Sequence, residues 1–325
     1  MSISAFCRKV LPIVFLIICC LVLPAAADPT AYTSQFSKLA TARSETLAIM
    51  GGDEGASGGI YKFYDDGTSM NITKLSGKGA IGKERRLAGT DIHWLPLLGG
   101  TVGYIHGENR YYNNPVLVNN TERFTTFAVG GEAGAKILLG KKFSITPALG
   151  LIYSRSDSEF LPGTALGAQL KQQYAGQLFD WYVDTITMAP SIEAQYQETI
   201  GKDWRLTLSS RYAWFNTWDI ASSSRYLEKE GDSFNWENKV DLDVRLPLKL
   251  FNRPLHTGGY VSVDYLGGDF RDTVGSNAMY TFNGRLVLGD FNGLWKLNWV
   301  GLGVSWIKAN TFYGYSVGLD MRMRF

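Results

Sequence analysis

The chain closes on Tyr315-Ser316-Val317-Gly318-Leu319-Asp320-Met321-Arg322-Met323-Arg324-Phe325 (YSVGLDMRMRF), and alternate positions of this stretch have opposite character. Phe325, Met323, Met321, Leu319, Val317, Tyr315 and Tyr313 are all apolar, whereas Arg324, Arg322, Asp320, Gly318, Ser316 and Gly314 are charged or small. A period of two held this long describes a β-strand with a different medium on each face. Working back from the end, the pattern recurs. From 234 to 250, Phe234, Trp236, Val240, Leu242, Val244, Leu246, Leu248 and Leu250 alternate with Glu237, Lys239, Asp241, Asp243 and Arg245. Strands of soluble proteins average about 5–6 residues. Alternation over such lengths suits strands that cross a bilayer and continue beyond it.

The first 27 residues have the form of a secretory signal: Arg8 and Lys9, an apolar run over 10–23, and Pro24-Ala25-Ala26-Ala27 as the cleavage site. The apolar run is roughly 14 residues, short of the about 20 that a helical span needs. All three cysteines (Cys7, Cys19, Cys20) fall inside this signal. The whole chain carries 32 Lys+Arg and 30 Asp+Glu, so losing the two signal cations leaves 30 of each. No basic excess for nucleic acid remains. No later apolar run approaches helix-spanning length, which excludes a helical membrane protein but not a barrel.

Further two-residue alternations run through 127–139, 143–154, 182–196, 204–218, 260–265 and 280–288. The segment 294–308 is apolar but changes phase, which predicts a bulge near Gly301 or a lumen side that packs against something apolar. Short connections at 140–142, 200–203, 251–254 and 289–293 alternate with longer polar stretches at 107–123, 155–180, 219–232 and 267–277. Short periplasmic turns alternating with long external loops are the outer-membrane arrangement. Ten strands fit between about Thr101 and Phe325, and 91–98 reads as an eleventh. Over 59–75, Tyr61 and Phe63 suggest one strand and Met70 and Ile72 another, with Asp65-Asp66-Gly67 turning between them. Both would make thirteen, which parity disfavours, so the expectation is an all-β, antiparallel transmembrane barrel of twelve strands with one bent strand, or a strand plus a loop, there. Fourteen is reached if a long loop hides a pair. Residues 31–50 have helical spacing, and a helix of roughly 16 residues within them would be about 24 Å long. That helix fits the lumen, the periplasm or an unstructured leader equally well. The domain reading is signal peptide 1–27, leader and helix 28–58, and barrel 59–325.

A signal, a single helix, about twelve amphipathic strands and the tail Leu319–Phe325 resemble the translocator β-domain of autotransporters. Because only a short leader precedes the first strand, the closer resemblance is to the solitary, passenger-less type of Gram-negative bacteria. The resemblance implies a place in the outer membrane after general secretion, and contact there with lipid and lipopolysaccharide. It also implies periplasmic chaperones and the barrel assembly machinery as partners during biogenesis. Tyr315, Met323 and Phe325 would serve as the assembly signal.

The residues expected to face the lumen are Arg205, Arg211, Glu237, Lys239, Asp241, Asp243, Arg245, Asp264, Arg285, Asp320, Arg322 and Arg324. Trp204, Trp218, Trp236 and Trp295 are expected in interfacial girdles. Of the histidines, His93 falls on the lumen face, His106 at a strand end and His256 beside a periplasmic turn. None has a serine partner at a barrel lipase's spacing, and no pair has metal-ligand spacing. Gly99-Gly100 and Gly130-Gly131 precede no helix, so they suit close backbone approach rather than phosphate binding. The expected function is therefore a non-enzymatic structural or surface barrel without cofactor. The alternatives are a small-solute channel and, less favoured, a lipid-modifying enzyme.

Overall fold

The computed structural model describes residues 46, 55–65, 67–87, 89–90, 92–110, 119–176, 179–223, 230–289 and 297–323. The side chains of 174, 297, 298, 322 and 323 are outside the description, as are the readings of a signal peptide, an N-terminal helix, Trp295, Arg324 and Phe325.

In chain order the elements are β1 (Gly55–Asp65), β2 (Thr68–Ala80), β3 (Arg85–Arg86), β4 (His93–Arg110), β5 (Thr121–Leu139), β6 (Phe143–Leu161), α1 (Ala165–Tyr174), β7 (Tyr182–Ile200), β8 (Trp204–Ser222), β9 (Glu230–Leu250), β10 (Arg253–Gly267), α2 (Gly268–Val274), β11 (Ala278–Gly289), β12 (Leu297–Ala309) and β13 (Tyr313–Met323). β3 is a two-residue ladder against β4. The other twelve strands form one antiparallel sheet in sequence order. It closes through β1 with β13, where Ile60 meets Val317, and through β2 with β4, where Thr73 meets Tyr104. With no edge left, the backbone groups within the bilayer find partners in the sheet itself.

The count of twelve agrees with the sequence reading, but its allocation does not. Residues 91–98 are not a separate strand: β4 runs unbroken from His93 through Gly99 and Gly100 to Arg110. Nor is 59–75 one bent strand; it supplies the β1–β2 hairpin, turning at residues 66–67. β1 opens at Gly55, before the expected Gly59. The bulge in β12 falls between Leu297 and Trp299, not at Gly301. The long external connections are also shorter than read, because β6 continues to Leu161 and α1 lies in the connection that follows it.

The outward face is apolar and exposed, with Leu98, Val129, Leu151, Ile192, Leu286, Leu302, Val304 and Val317 on it. Aromatic rings gather toward the external turns: Tyr64 stacks on Tyr313 with centroids 5.6 Å apart, and Phe282 on Trp306 at the same distance. Trp204 and Trp218 are exposed at opposite ends of β8, and the Trp236 indole donates to Ser210 Oγ at 2.9 Å. Above this band the outward positions become ionic. Arg155 pairs with Asp157 and Asp184, and Arg123 with Glu108 and Glu159. Strands of 18–21 residues such as β4 and β9 thus overreach the about 9–11 residues a tilted strand needs to cross. At the periplasmic rim, Lys142 in the β5–β6 turn donates to Glu198, and that bond raises its ammonium pKa above the ordinary lysine value.

Candidate functional site: a layered lumen

A closed barrel brings its inward side chains together, and here they sort into two layers. The external half of the lumen holds an apolar cluster set among buried hydroxyls and acids. Phe63 of β1, Ile72 of β2, Ile105 of β4, Phe124 and Ala128 of β5, Ile152 of β6, Ala189 of β7, Ala213 and Phe215 of β8, Leu266 of β10, Phe270 of α2 and Ile307 of β12 are all buried in it. Phe312 packs on Phe63 edge-to-face at 5.6 Å. These residues face inward and form an apolar septum on one part of the lumen, at the same level as the buried inward hydroxyls of Thr126, Ser154, Ser156, Thr187 and Thr217. An apolar constriction of this kind excludes water and ions.

Below the septum, toward the periplasmic turns, the wall is polar. A cavity of about 190 Å³ is lined by Gln195, Gln197, Arg205, Thr207, Ser209, Lys239, Asp241, Asp243, Tyr260, Asn283, Arg285, Trp299 and Asp320, with Ala56 to Gly58 at its side. Ion pairs brace it. Arg285 on β11 reaches over Gly258 of β10 to hold both oxygens of Asp241 on β9, at 2.8 and 2.6 Å. Such bidentate, charge-assisted contacts are strong and directional. Lys239 stands 3.9 Å from Glu237 and 5.2 Å from the Tyr260 ring. Higher in the barrel, level with the septum, Asp264 is buried and accepts from Asn235 Nδ2 at 2.9 Å, Asn235 standing opposite Leu266 in the ladder. Arg211 lies between two acids in the ladder, Glu193 on β7 and Glu237 on β9, and its Nε is buried without a hydrogen bond. Arg245 sits opposite His256 in the ladder. Arg322 is on β13, facing Trp299 in register.

The sequence reading missed the charges on the opposite wall. Lys78 of β2 places Nζ 3.5 Å from Glu132 of β5 and 3.5 Å from Glu193 of β7. β2 and β7 are four ladders apart, so this lysine spans a large part of the lumen. Lys74 is buried beside it. Three of these residues, Lys78, Glu132 and Lys74, each lie between two glycines in the ladder, a pattern that only the sheet pairing reveals. Lys78 faces Gly55 and Gly99, Glu132 faces Gly99 and Gly150, and Lys74 faces Gly59 and Gly103. A Cβ on Gly99 would stand 2.8 Å from Glu132 Cγ. Glycine there lets the carboxylate lie along the wall toward Lys78. Elsewhere the wall is tied by hydroxyl pairs, Thr126 with Ser156, Ser154 with Thr185 and Thr187 with Thr217, at 2.8, 2.7 and 2.8 Å.

The histidines bond to acids. His93 Nδ1 is 2.6 Å from Glu84 and His256 Nδ1 is 3.0 Å from Asp243. The other ring nitrogen of His256 lies against Gly289. His106 takes a ladder position opposite Asn71 and Thr125.

A closed twelve-strand barrel with alternating turn lengths matches the family profile described as "Solitary outer membrane autotransporter beta-barrel domain" over residues 84–319. The chain belongs to this solitary autotransporter β-barrel family. Two solved structures share the fold of this autotransporter-type barrel. The β domain of the Bordetella autotransporter BrkA is similar with a TM-score of 0.52 at 12% identity, covering 83% of this chain and 100% of that one. The transport unit of the autotransporter AIDA-I from Escherichia coli gives 0.54 at 10% identity, covering 91% and 100%. No curated protein sequence matches the chain. Family and fold place the autotransporter-type barrel in the Gram-negative outer membrane, in contact with its lipids and dependent on barrel biogenesis generally.

Proposed function

We propose that this autotransporter-type barrel is a non-enzymatic structural element of the outer membrane whose lumen is shut at the extracellular end. The apolar septum supports the reading, because a pore for hydrated solutes needs a continuous polar path and the packed side chains of Phe63, Phe124, Phe215 and Phe270 narrow it. Its outward partners are outer-membrane lipid and lipopolysaccharide. Its biogenesis partners are periplasmic chaperones and the assembly machinery, which would read Tyr315, Met323 and Phe325, and residues 1–27 would be removed on export. The twelve lumen charges read from the sequence serve, in this proposal, to brace the wall. His256 Nδ1 pairs with Asp243 of the wall, which supports a bracing role for this histidine.

The polar cavity beneath the septum favours a second reading, a small-solute channel. Planar-bilayer recording on the full chain separates the two. A shut barrel gives no steady unitary steps above leak, and a persistent porin-like conductance would refute the shut reading.

A further inference from the structure

Among the described residues, Phe270 is the one buried member of the septum carried by a connection; the others sit on strands fixed by their ladders. It belongs to α2, the short helix that follows β10 directly and folds inward over the lumen. Two glycines bound this segment, Gly268 with φ +68° and Gly275 with φ +66°, both in the left-handed region. A Cβ at Gly268 would fall 2.0 Å from the Asp232 carbonyl oxygen, and one at Gly267 would fall 2.0 Å from the Phe234 ring. Only glycine lets the chain turn in this tightly against the end of β9.

The segment is held down by a small set of hydrogen bonds at the external rim. Phe270 N–H donates to Ser233 Oγ at 2.9 Å, and Asp232 N–H to Asp269 Oδ2 at 2.9 Å. Thr311 Oγ1 donates to the Val274 carbonyl at 2.5 Å, and Asn310 N–H to Ser276 Oγ at 3.2 Å. The Asp269 and Thr311 contacts are exposed and compete with water, whereas the Phe270 bond is buried and Gly268 forms a β-bridge with Ser233. The polar cavity lies beneath the septum that Phe270 completes.

We propose that α2 is a lid: swinging on Gly268 and Gly275, it withdraws Phe270 from the septum and opens a water path between the polar cavity and the cell exterior. The proposal rests on the shut-barrel reading. When the lid lifts, the barrel passes small polar solutes, and when it seats, the septum dries and conduction stops.

The test uses the full chain in planar bilayers, with heat-modifiable gel mobility confirming the folded barrel. Phe270→Asp should hydrate the septum and raise open probability about tenfold or more, the change that follows when roughly 1.4 kcal/mol is removed from the closed state. The pair Asp232→Cys/Asp269→Cys joins the lid to the end of β9. All native cysteines lie at positions 7, 19 and 20, so no other thiol interferes once the signal is cleaved. Openings present under reductant should vanish on oxidation and return on reduction. A folded Phe270→Asp barrel as silent as wild type, or a double-cysteine barrel indifferent to redox state, overturns the lid and leaves the shut reading intact. Steady conduction by the wild-type chain, unaltered by oxidation of the pair, overturns both.

Discussion

Replacing Lys78 by methionine isolates the cross-lumen brace. Two carboxylates share this one ammonium, at 3.5 Å each, and its own side chain is only 6% exposed. At an effective dielectric near 20, a pair at that distance attracts by about 5 kcal/mol. Desolvation of the three groups offsets much of this. The glutamates retain 21% exposure, and Lys74 stays close enough to Glu132 to feel its charge. The expected net cost of Lys78→Met is therefore about 2–4 kcal/mol, most of it from two acids left facing each other in a confined wall. The triple variant Lys78→Met/Glu132→Gln/Glu193→Gln removes that repulsion and should return to within about 1 kcal/mol of wild type. Urea unfolding from phospholipid vesicles, followed by the fluorescence of the chain's nine tryptophans, measures both. If Lys78→Met lies within about 0.5 kcal/mol of wild type, or the triple variant is as unstable as the single one, the brace is not what holds β2 to β7.

Four further outcomes are expected. Deleting Phe325 lowers the amount of barrel in outer-membrane fractions while leaving the stability of refolded protein nearly unchanged; quantitative blotting at normal levels would count against an assembly signal there. Arg285→Lys keeps the charge but loses the two-pronged grip on Asp241, costing about 1–2 kcal/mol in the same unfolding assay, and no measurable cost would deny that grip a role. Gly99→Val pushes Glu132 off its path and costs about 1–3 kcal/mol, less than additively with Lys78→Met; strict additivity would mean that Gly99 does not serve the brace. Leu302→Arg puts a cation on a residue 58% exposed to lipid and costs about 2–4 kcal/mol, and a near-zero value in vesicles would remove this stretch of β12 from the hydrocarbon.

What the sequence made legible was the face that meets lipid. Leu319, Val317 and Tyr315, or Leu286 and Phe282, had to be apolar because nothing in the hydrocarbon can satisfy a polar group, so alternation and phase could be read residue by residue. The lumen imposes no such rule. An inward side chain answers only to what it meets across the barrel, and that partner sits on a strand remote in sequence. Lys78 with Glu193, and Phe124 with Phe63, belong together through the closed sheet and carry no local signature. The two counting errors have the same source. Gly99-Gly100 looked like a break in β4, although Gly99 is where Glu132 lies flat against the wall. Tyr61, Phe63, Met70 and Ile72 suggested two strands without showing which side they face; they are inward, and Phe63 and Ile72 belong to the septum.

The β1–β2 hairpin shows why this matters for how the barrel holds together. On β2 the outward positions Ser69, Asn71 and Thr73 are exposed and polar with Leu75 apolar, and on β1 Gly58 and Lys62 flank Ile60, so apolar contact is interrupted rather than continuous. Lipid contact alone gives this hairpin little reason to stay in the wall, compared with the continuous apolar faces of β12 and β13. Its inward side supplies the reason instead, with Phe63 and Ile72 in the septum and Lys74 and Lys78 among the acids of the far wall. The hairpin is also where the sheet closes, through Ile60 with Val317 and Thr73 with Tyr104. Closure therefore draws its stability from the lumen contents more than from lipid. A layered, filled lumen and a complete ring of twelve strands are on this view one property, which is why emptying the septum at Phe63 or Ile72 should loosen the seam between β1 and β13 before any other ladder.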